Sequence, residues 1–211
     1  ANVSADVSST AGQMARALGL ANASKKYRSN KEISTSTNFS DNGNEVSFCT
    51  IGDASTSEGV FWETINAAGV MQVPLLISVW DDGYGISVPI KYQTTKSSIS
   101  EVVGGFSYDE AKEQGIEVFS CKAWDYPGLI ELYQKVTDFV RENHRPALIH
   151  IEEVTQPQGH STSGSHERYK TEGRLSWETE KDCILLMEQW IIKSKVATAK
   201  ETLAIRQSAK E

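Results

Sequence analysis

The segment Leu75–Trp80 limits the fold of this chain more than any other stretch. It is apolar at every position except Ser78, is introduced by Pro74 and ends on Asp81-Asp82-Gly83. A strand with one wet face alternates polar and apolar residues, whereas a run without alternation needs cover on both faces, as in the middle of a parallel sheet. Residues 147–154, introduced by Pro146, are a further strand candidate, and 46–51 and 116–121 are shorter ones. Helical spacing falls between and around them. Met14, Ala17, Leu18, Leu20 and Ala21 precede a basic run at 25–28. Phe61, Ile65 and Ala68 share one face of a helix over 57–71. Leu129, Leu132, Val136 and Phe139 do the same over 128–143. Two further helices are expected over 177–192 and 195–209, and loops over 29–44 and 155–171, where Ser, Thr, Asn, Gly and His replace the periodic pattern. Alternating strands and helices predict an α/β fold, a mostly parallel sheet with helices on both faces. No repeat or linker divides residues 1–211, so one domain is expected.

Composition excludes some partners. With 28 acidic against 21 basic residues, the net charge of -7 disfavours nucleic acid and anionic membrane as main partners. It does not disfavour a phosphorylated ligand, because local amides and a cation can hold phosphate whatever the net charge. Cys49, Cys121 and Cys183 have no close spacing, so neither a disulfide framework nor a zinc site is expected, and reduced thiols in a cytoplasm are. No apolar run approaches the length that crosses a bilayer, and no basic-then-apolar leader opens the chain. A soluble cytoplasmic protein is the expectation.

Two turns carry the candidate chemistry. Gly52-Asp53-Ala54-Ser55 follows the first strand, and Asp81-Asp82-Gly83-Tyr84-Gly85 follows the second. In a parallel sheet both lie at the C-terminal strand edge, where ligands bind. Each alone reads as an ordinary turn. One strand–helix–strand unit separates Asp53 from Asp82, which puts both carboxylates at the same edge. Mg2+ takes oxygen ligands, commonly one or two carboxylates together with substrate phosphates. Amides at a helix start after Gly52 would face an anion. A third candidate is the polar run Gln158-Gly159-His160-Ser161-Thr162-Ser163, followed by His166 and Tyr169-Lys170. Glu152-Glu153 ends a strand and reads as solvated or ion-paired. Trp62, Trp124, Trp177 and Trp190 read as core or interface residues.

The pair of turns resembles the thiamine-diphosphate motif, which begins Gly-Asp-Gly and ends Asn-Asn. Glu58-Gly59-Val60-Phe61-Trp62-Glu63, Asn66-Ala67-Ala68 and Gly85-Ile86-Ser87 are similar to the alpha portion of 2-oxo acid dehydrogenase E1 components. So are Trp124-Asp125-Tyr126-Pro127, Arg145-Pro146-Ala147-Leu148-Ile149 and Ser8-Ser9-Thr10-Ala11-Gly12-Gln13. The resemblance covers most of the chain and implies a thiamine-diphosphate-binding fold. It implies that the side chains of Asp53 and Asp82 and the Tyr84 carbonyl coordinate Mg2+. It implies that Gly52 and the backbone around Ala54 and Ser55 hold the diphosphate, with Ser8 and Thr10 near the aminopyrimidine ring. His160 would reach the diphosphate from a mobile loop and border the substrate channel, as the one candidate catalytic residue. Ser161 or Ser163 would occupy positions phosphorylated in regulated relatives. Ser8, Ser9 and Gln13 could also hold a structural cation through carbonyls.

Three departures from the family pattern stand out. Ala54 replaces a glycine, Asp81-Asp82 replaces the Asn pair, and Trp80 stands where relatives place an arginine. The implied reaction is decarboxylation of a 2-oxo acid and acyl transfer to a lipoyl domain of an E2 acyltransferase. The implied partner is an E1 beta portion, as a separate chain in a heterotetramer or fused in a homodimer. The chain opens just before Ser8, so a fragment of a longer alpha or fused chain is expected. Other readings stay open: another thiamine-diphosphate enzyme of acetoin dehydrogenase or transketolase type, a non-catalytic interaction subunit that keeps the fold, and an unrelated Mg-dependent phosphatase.

Overall fold

The computed structural model describes residues 8–157, 159–161 and 166–210. Four parallel strands form its main sheet: β1 (Ser47–Gly52), β2 (Leu75–Trp80), β5 (Glu117–Lys122) and β6 (Ala147–Glu152), in the spatial order β1-β2-β6-β5. A small antiparallel hairpin, β3 (Tyr84–Gly85) with β4 (Val88–Pro89), follows β2. The helices are α1 (Gln13–Ser29), α2 (Lys31–Thr35), α3 (Gly59–Met71), α4 (Ile99–Val103), α5 (Tyr126–Asn143), α6 (Glu172–Glu180), α7 (Cys183–Lys193) and α8 (Ala199–Ser208). The α/β class, the parallel sheet and the helices on both of its faces are those the sequence predicts.

Successive β2 residues point to opposite faces, and each face has its own core. Leu75, Ile77 and Val79 pack with Met14, Ala17 and Ala21 of α1 and with Phe61, Ile65 and Ala68 of α3. Leu76 packs on the other face with Val136 and Val140 of α5 and with Ala147, Ile149 and Ile151 of β6. Ser78, the one polar residue of the strand, is buried there, and its Oγ lies 2.6 Å from the Tyr133 hydroxyl of α5. Burying a large apolar side chain such as Phe61 or Ile65 contributes about 1.5–3 kcal/mol, so the two-sided cover of β2 is a main source of stability. The basic run at 25–28 serves helix ends. Lys25 Nζ donates to the Met71 carbonyl at the end of α3, and Arg28 Nη2 donates to the Arg141 carbonyl in the last turn of α5.

The elements depart from expectation where local capping outweighs periodicity. The helix expected over 177–192 is two helices, because Asp182 caps α7 by accepting from the Leu185 amide at 2.9 Å. The helix expected over 57–71 begins at Gly59, after a short 3-10 turn over Ala54–Ser57. The loop expected over 29–44 contains α2, capped by Asn30. The strand expected over 147–154 stops at Glu152. No helix among the described residues is long and apolar enough to cross a membrane.

Register sets the site. Gly52 pairs with Trp80, and Trp80 with Ile151, so β1, β2 and β6 end level. The Asp53 amide donates to the Trp80 carbonyl, and the Asp81 amide to the Ile151 carbonyl. Both acidic turns therefore leave the same sheet edge side by side.

Candidate functional site

At that edge lies a cleft of ≈ 660 Å³. It brings together Thr10, Gly52, Asp53, Ala54, Ser55, Asp82, Tyr84 and His160, the residues the resemblance assigns to the cofactor and its metal, without Ser8. Ser8 is exposed and is not part of the lining, and Ser163 lies outside the described residues. Ser161 is described and exposed, and His166 is half-buried in a 3-10 turn and is not part of the lining.

Asp53 is only 4% exposed. Its carbonyl accepts from the amide and the hydroxyl of Thr56, which shapes the 3-10 turn. Its Oδ2 is buried without a hydrogen-bond partner. Burial first, and then the negative charges of Asp81 and Asp82, push its carboxyl up to about 8. Asp82 is 8% exposed and is also raised, chiefly by burial. The Tyr84 amide, Lys170 and Arg174 oppose that rise. Its Oδ1 accepts from the Tyr84 amide at 3.1 Å, while Asp81 Oδ1 accepts from the Gly83 amide at 2.8 Å. Two side chains thus build the turn, and Gly83 supplies the left-handed residue it needs, at φ +78°.

Asp81, next to the expected ligand, is held instead by a residue the sequence did not single out. His150, buried on β6, places Nε2 2.8 Å from Asp81 Oδ2 and Nδ1 3.1 Å from the Ser100 hydroxyl. Nothing in the strand pattern marks His150, because its partners come from a neighbouring strand and a distant helix. Thr50, Trp80, Ile86, Gln93 and Gln156 also line the cleft without having been candidates, and Gln13, expected near a structural cation, lines it too. Gln13 Nε2 donates to the Thr50 carbonyl, and Trp80 Nε1 to Ser78 Oγ at 3.0 Å. Where Gly85 approaches Ala54, a Cβ on the glycine would lie 2.9 Å from the Ala54 methyl. The alanine of the first turn is thus housed by the glycine of the second. Glu152 and Glu153 form ion pairs with Lys122 at 3.2 and 2.8 Å, as a paired strand end. The flanking tryptophans are structural: Trp62 packs on Phe61 and Phe106, and Trp124 donates to Glu153 at 2.7 Å.

Two buried carboxylates, one with an unsatisfied oxygen, belong to residues that line the same cleft. A divalent ion would relieve their repulsion and complete Asp53 Oδ2. Above Gly52 a Cβ would meet nothing nearer than Ser55 Oγ at 3.9 Å, which leaves the backbone open to a ligand. The residues present therefore fit Mg2+ on a diphosphate. Among the described residues no group of three or more His, Cys, Asp and Glu side chains is arranged to hold a metal by itself. Further ligands would have to come from the Tyr84 carbonyl, water or the diphosphate.

A family model described as Dehydrogenase E1 component matches residues 2–211. The chain is 24% identical over 168 residues to the pyruvate dehydrogenase E1 component subunit alpha of Rickettsia typhi, covering 80% of this chain and 48% of that protein. It is 32% identical over 127 residues to the mitochondrial 2-oxoisovalerate dehydrogenase subunit alpha 2 of Arabidopsis thaliana, covering 60% of this chain and 25% of the relative. It is 29% identical over 136 residues to the 3-methyl-2-oxobutanoate dehydrogenase subunit alpha of Mycobacterium tuberculosis, covering 64% and 34%. The chain thus spans about half the length of the curated relatives it matches, or less.

Proposed function

Since this chain belongs to the dehydrogenase E1 component family, we propose that it is the alpha part of a 2-oxo acid dehydrogenase E1, built to bind thiamine diphosphate through Mg2+. The observation that carries the reading is the buried Oδ2 of Asp53, without a hydrogen-bond partner, on a residue that lines the same cleft as Asp82. A carboxylate taken out of water without a partner is costly, and a cation at this spot removes the cost.

In this reading Asp53, Asp82 and the Tyr84 carbonyl hold Mg2+. The backbone of Gly52, Ala54 and Ser55 faces the diphosphate, and Thr10 stands on the aminopyrimidine side. Thiamine diphosphate, when bound, supplies the electron sink for decarboxylation of a 2-oxo acid. This chain's residues anchor and orient it. His160 on the cleft wall donates a hydrogen bond toward the diphosphate and borders the path of the substrate. Trp80 and Ile86 give the cleft apolar walls. The carboxylate that activates the aminopyrimidine ring comes from a beta portion, and the acyl group passes to the lipoyl domain of an E2 acyltransferase. Three free cysteines suit a reducing cytoplasm.

Calorimetry with thiamine diphosphate and Mg2+, on the protein joined to its beta portion, tests the reading. Metal-dependent binding is expected, together with decarboxylation of at least one member of a panel of pyruvate, branched-chain 2-oxo acids and 2-oxoglutarate. Absence of metal-dependent binding would leave a non-catalytic scaffold as the better reading.

A further inference from the structure

Beside the Asp82-Gly83-Tyr84 turn sits a buried charge cluster that no role above requires. Glu178 of α6 is 1% exposed, and its carboxylate accepts from Lys170 Nζ at 2.7 and 2.9 Å and from Arg174 Nε at 2.8 Å. The other side of the Arg174 fork reaches the turn, where Nη2 donates to the Asp82 carbonyl at 2.7 Å. The same guanidinium lies 5.4 Å over the Tyr84 ring and 4.6 Å over the Trp177 ring, and Nη1 stands 3.9 Å from where a Cβ of Gly83 would be. Tyr169 packs on Tyr84 with ring centroids 5.9 Å apart. The turn is therefore covered on its outer side by one planar cation whose orientation is set by one buried anion.

The need for such a clamp follows from the turn itself. Its hydrogen bonds within 81–84 come from two aspartate side chains, and its middle residue is the conformationally freest type. Arginine donates in a fixed fork, so holding one edge aims the other. Without the Glu178 carboxylate, Arg174 keeps the Tyr84 and Trp177 rings beside it, but ring contacts do not aim its donors at the Asp82 carbonyl. We propose that Glu178 is a positioning residue: by aiming Arg174 it fixes the Asp82-Gly83-Tyr84 turn, and with it the direction in which the Asp82 carboxylate enters the cleft. The effect on metal affinity rests on the reading of Asp53 and Asp82 as Mg2+ ligands; the effect on the turn does not.

The test compares the full-length wild-type protein with Glu178→Gln and Arg174→Lys. Arg174→Lys keeps the charge but cannot hold Glu178 and the Asp82 carbonyl in one fork. Hydrogen exchange at single amides should accelerate about tenfold or more at Gly83 and Tyr84 in both variants, while Ile77 and Val79 of β2 stay unchanged. Unaltered exchange at Gly83 and Tyr84 in the folded variants overturns the proposal, and so does equal acceleration at Ile77 and Val79, which reports general loosening. If Glu178→Gln does not fold, Arg174→Lys, at a partly exposed side chain, decides alone. Titration with Mn2+ in the presence of thiamine diphosphate, followed by electron paramagnetic resonance, should give about tenfold weaker binding in the variants, as for other residues that orient metal ligands. Wild-type affinity in both variants counts against the proposal. A wild-type protein that takes up no Mn2+ ends the cofactor reading, and the exchange rates still decide the role of Glu178.

Discussion

At the scale of single residues, the site is built from groups that are uncomfortable without a ligand, and Asp53 shows it best. Its folded carboxyl, held near 8 by burial and by Asp81 and Asp82, lies far above its ordinary value of 3.8. A group whose folded pKa is raised contributes stability below its unfolded pKa and loses it as pH rises through the folded one. Metal-free protein should therefore lose stability between about pH 4 and pH 8 through this residue. Asp53→Asn should unfold at a higher temperature than wild type at pH 9, by roughly 2–4 °C for each ~1 kcal/mol of relieved repulsion. The same variant should lose Mg-dependent retention of thiamine diphosphate. Thermal melts at pH 5 and pH 9 with calorimetric titration check both, and an Asp53→Asn protein that still retains the cofactor through Mg2+ removes the residue from the site. Asp53 and Asp82 were legible in the sequence because each lies within two residues of a strand's end and one strand–helix–strand unit separates them. His150, Arg174 and Glu178 were not, since what they do depends on neighbours that only the folded sheet and the packed α6 bring near.

Among elements, apolar runs were the most legible and caps the least. Leu75–Trp80 was read to the residue because two-sided burial leaves no ambiguity. The split between α6 and α7 was missed because Asp182 reads as one more polar residue inside a periodic stretch. Helix ends also carry the clearest pH response outside the cleft. His144 closes α5 in the left-handed conformation, at φ 52°, with Nε2 3.0 Å from the Gly43 carbonyl. Burial first, and then Arg28, hold its pKa below the ordinary 6.5. A depressed folded value means the stability it lends is present above 6.5 and lost as pH falls through the folded pKa. His144→Asn keeps a residue that tolerates this conformation and cannot titrate. It should flatten the decline in unfolding free energy between pH 6.5 and pH 5, measured by urea unfolding at each pH. An unchanged slope would mean the imidazole already titrates as it does in the unfolded chain. On the sheet side of α5, Tyr133→Phe should cost about 1 kcal/mol, since it strands the buried Ser78 hydroxyl with only the Trp80 indole as partner. Denaturant midpoints and the Trp80 emission report it.

For the molecule as a whole, strand order was the largest quantity left open, yet its physical cause is visible in the strands themselves. β2 and β6 are buried along almost their whole length and occupy the two central positions. β1, only two of whose residues are buried, and β5, which has none buried, take the edges, where one side has no neighbouring strand. Placing β6 between β2 and β5 brings Val154, Gln156 and His160 to the cleft, which is how His160 comes to share it with Asp53. The C-terminal end of the chain is built differently. α7 reads Cys-Ile-Leu-Leu-Met-Glu-Gln-Trp-Ile-Ile-Lys, yet no residue in it is buried, and α8 is tied to it through the Arg206–Glu188 ion pair at 2.7 Å. Ile184 is 72% exposed and Ile205 67%. Large apolar side chains exposed on two helices favour association, so this chain studied alone should scatter light increasingly with concentration. The double variant Ile184→Glu, Ile205→Glu adds charge where little packing is lost. Its unfolding free energy should stay within about 0.5 kcal/mol of wild type, as for most surface changes, while its scattering falls. A large drop in stability instead would mean that these two isoleucines are packed, and that α7 and α8 belong to the core of the domain rather than to its surface.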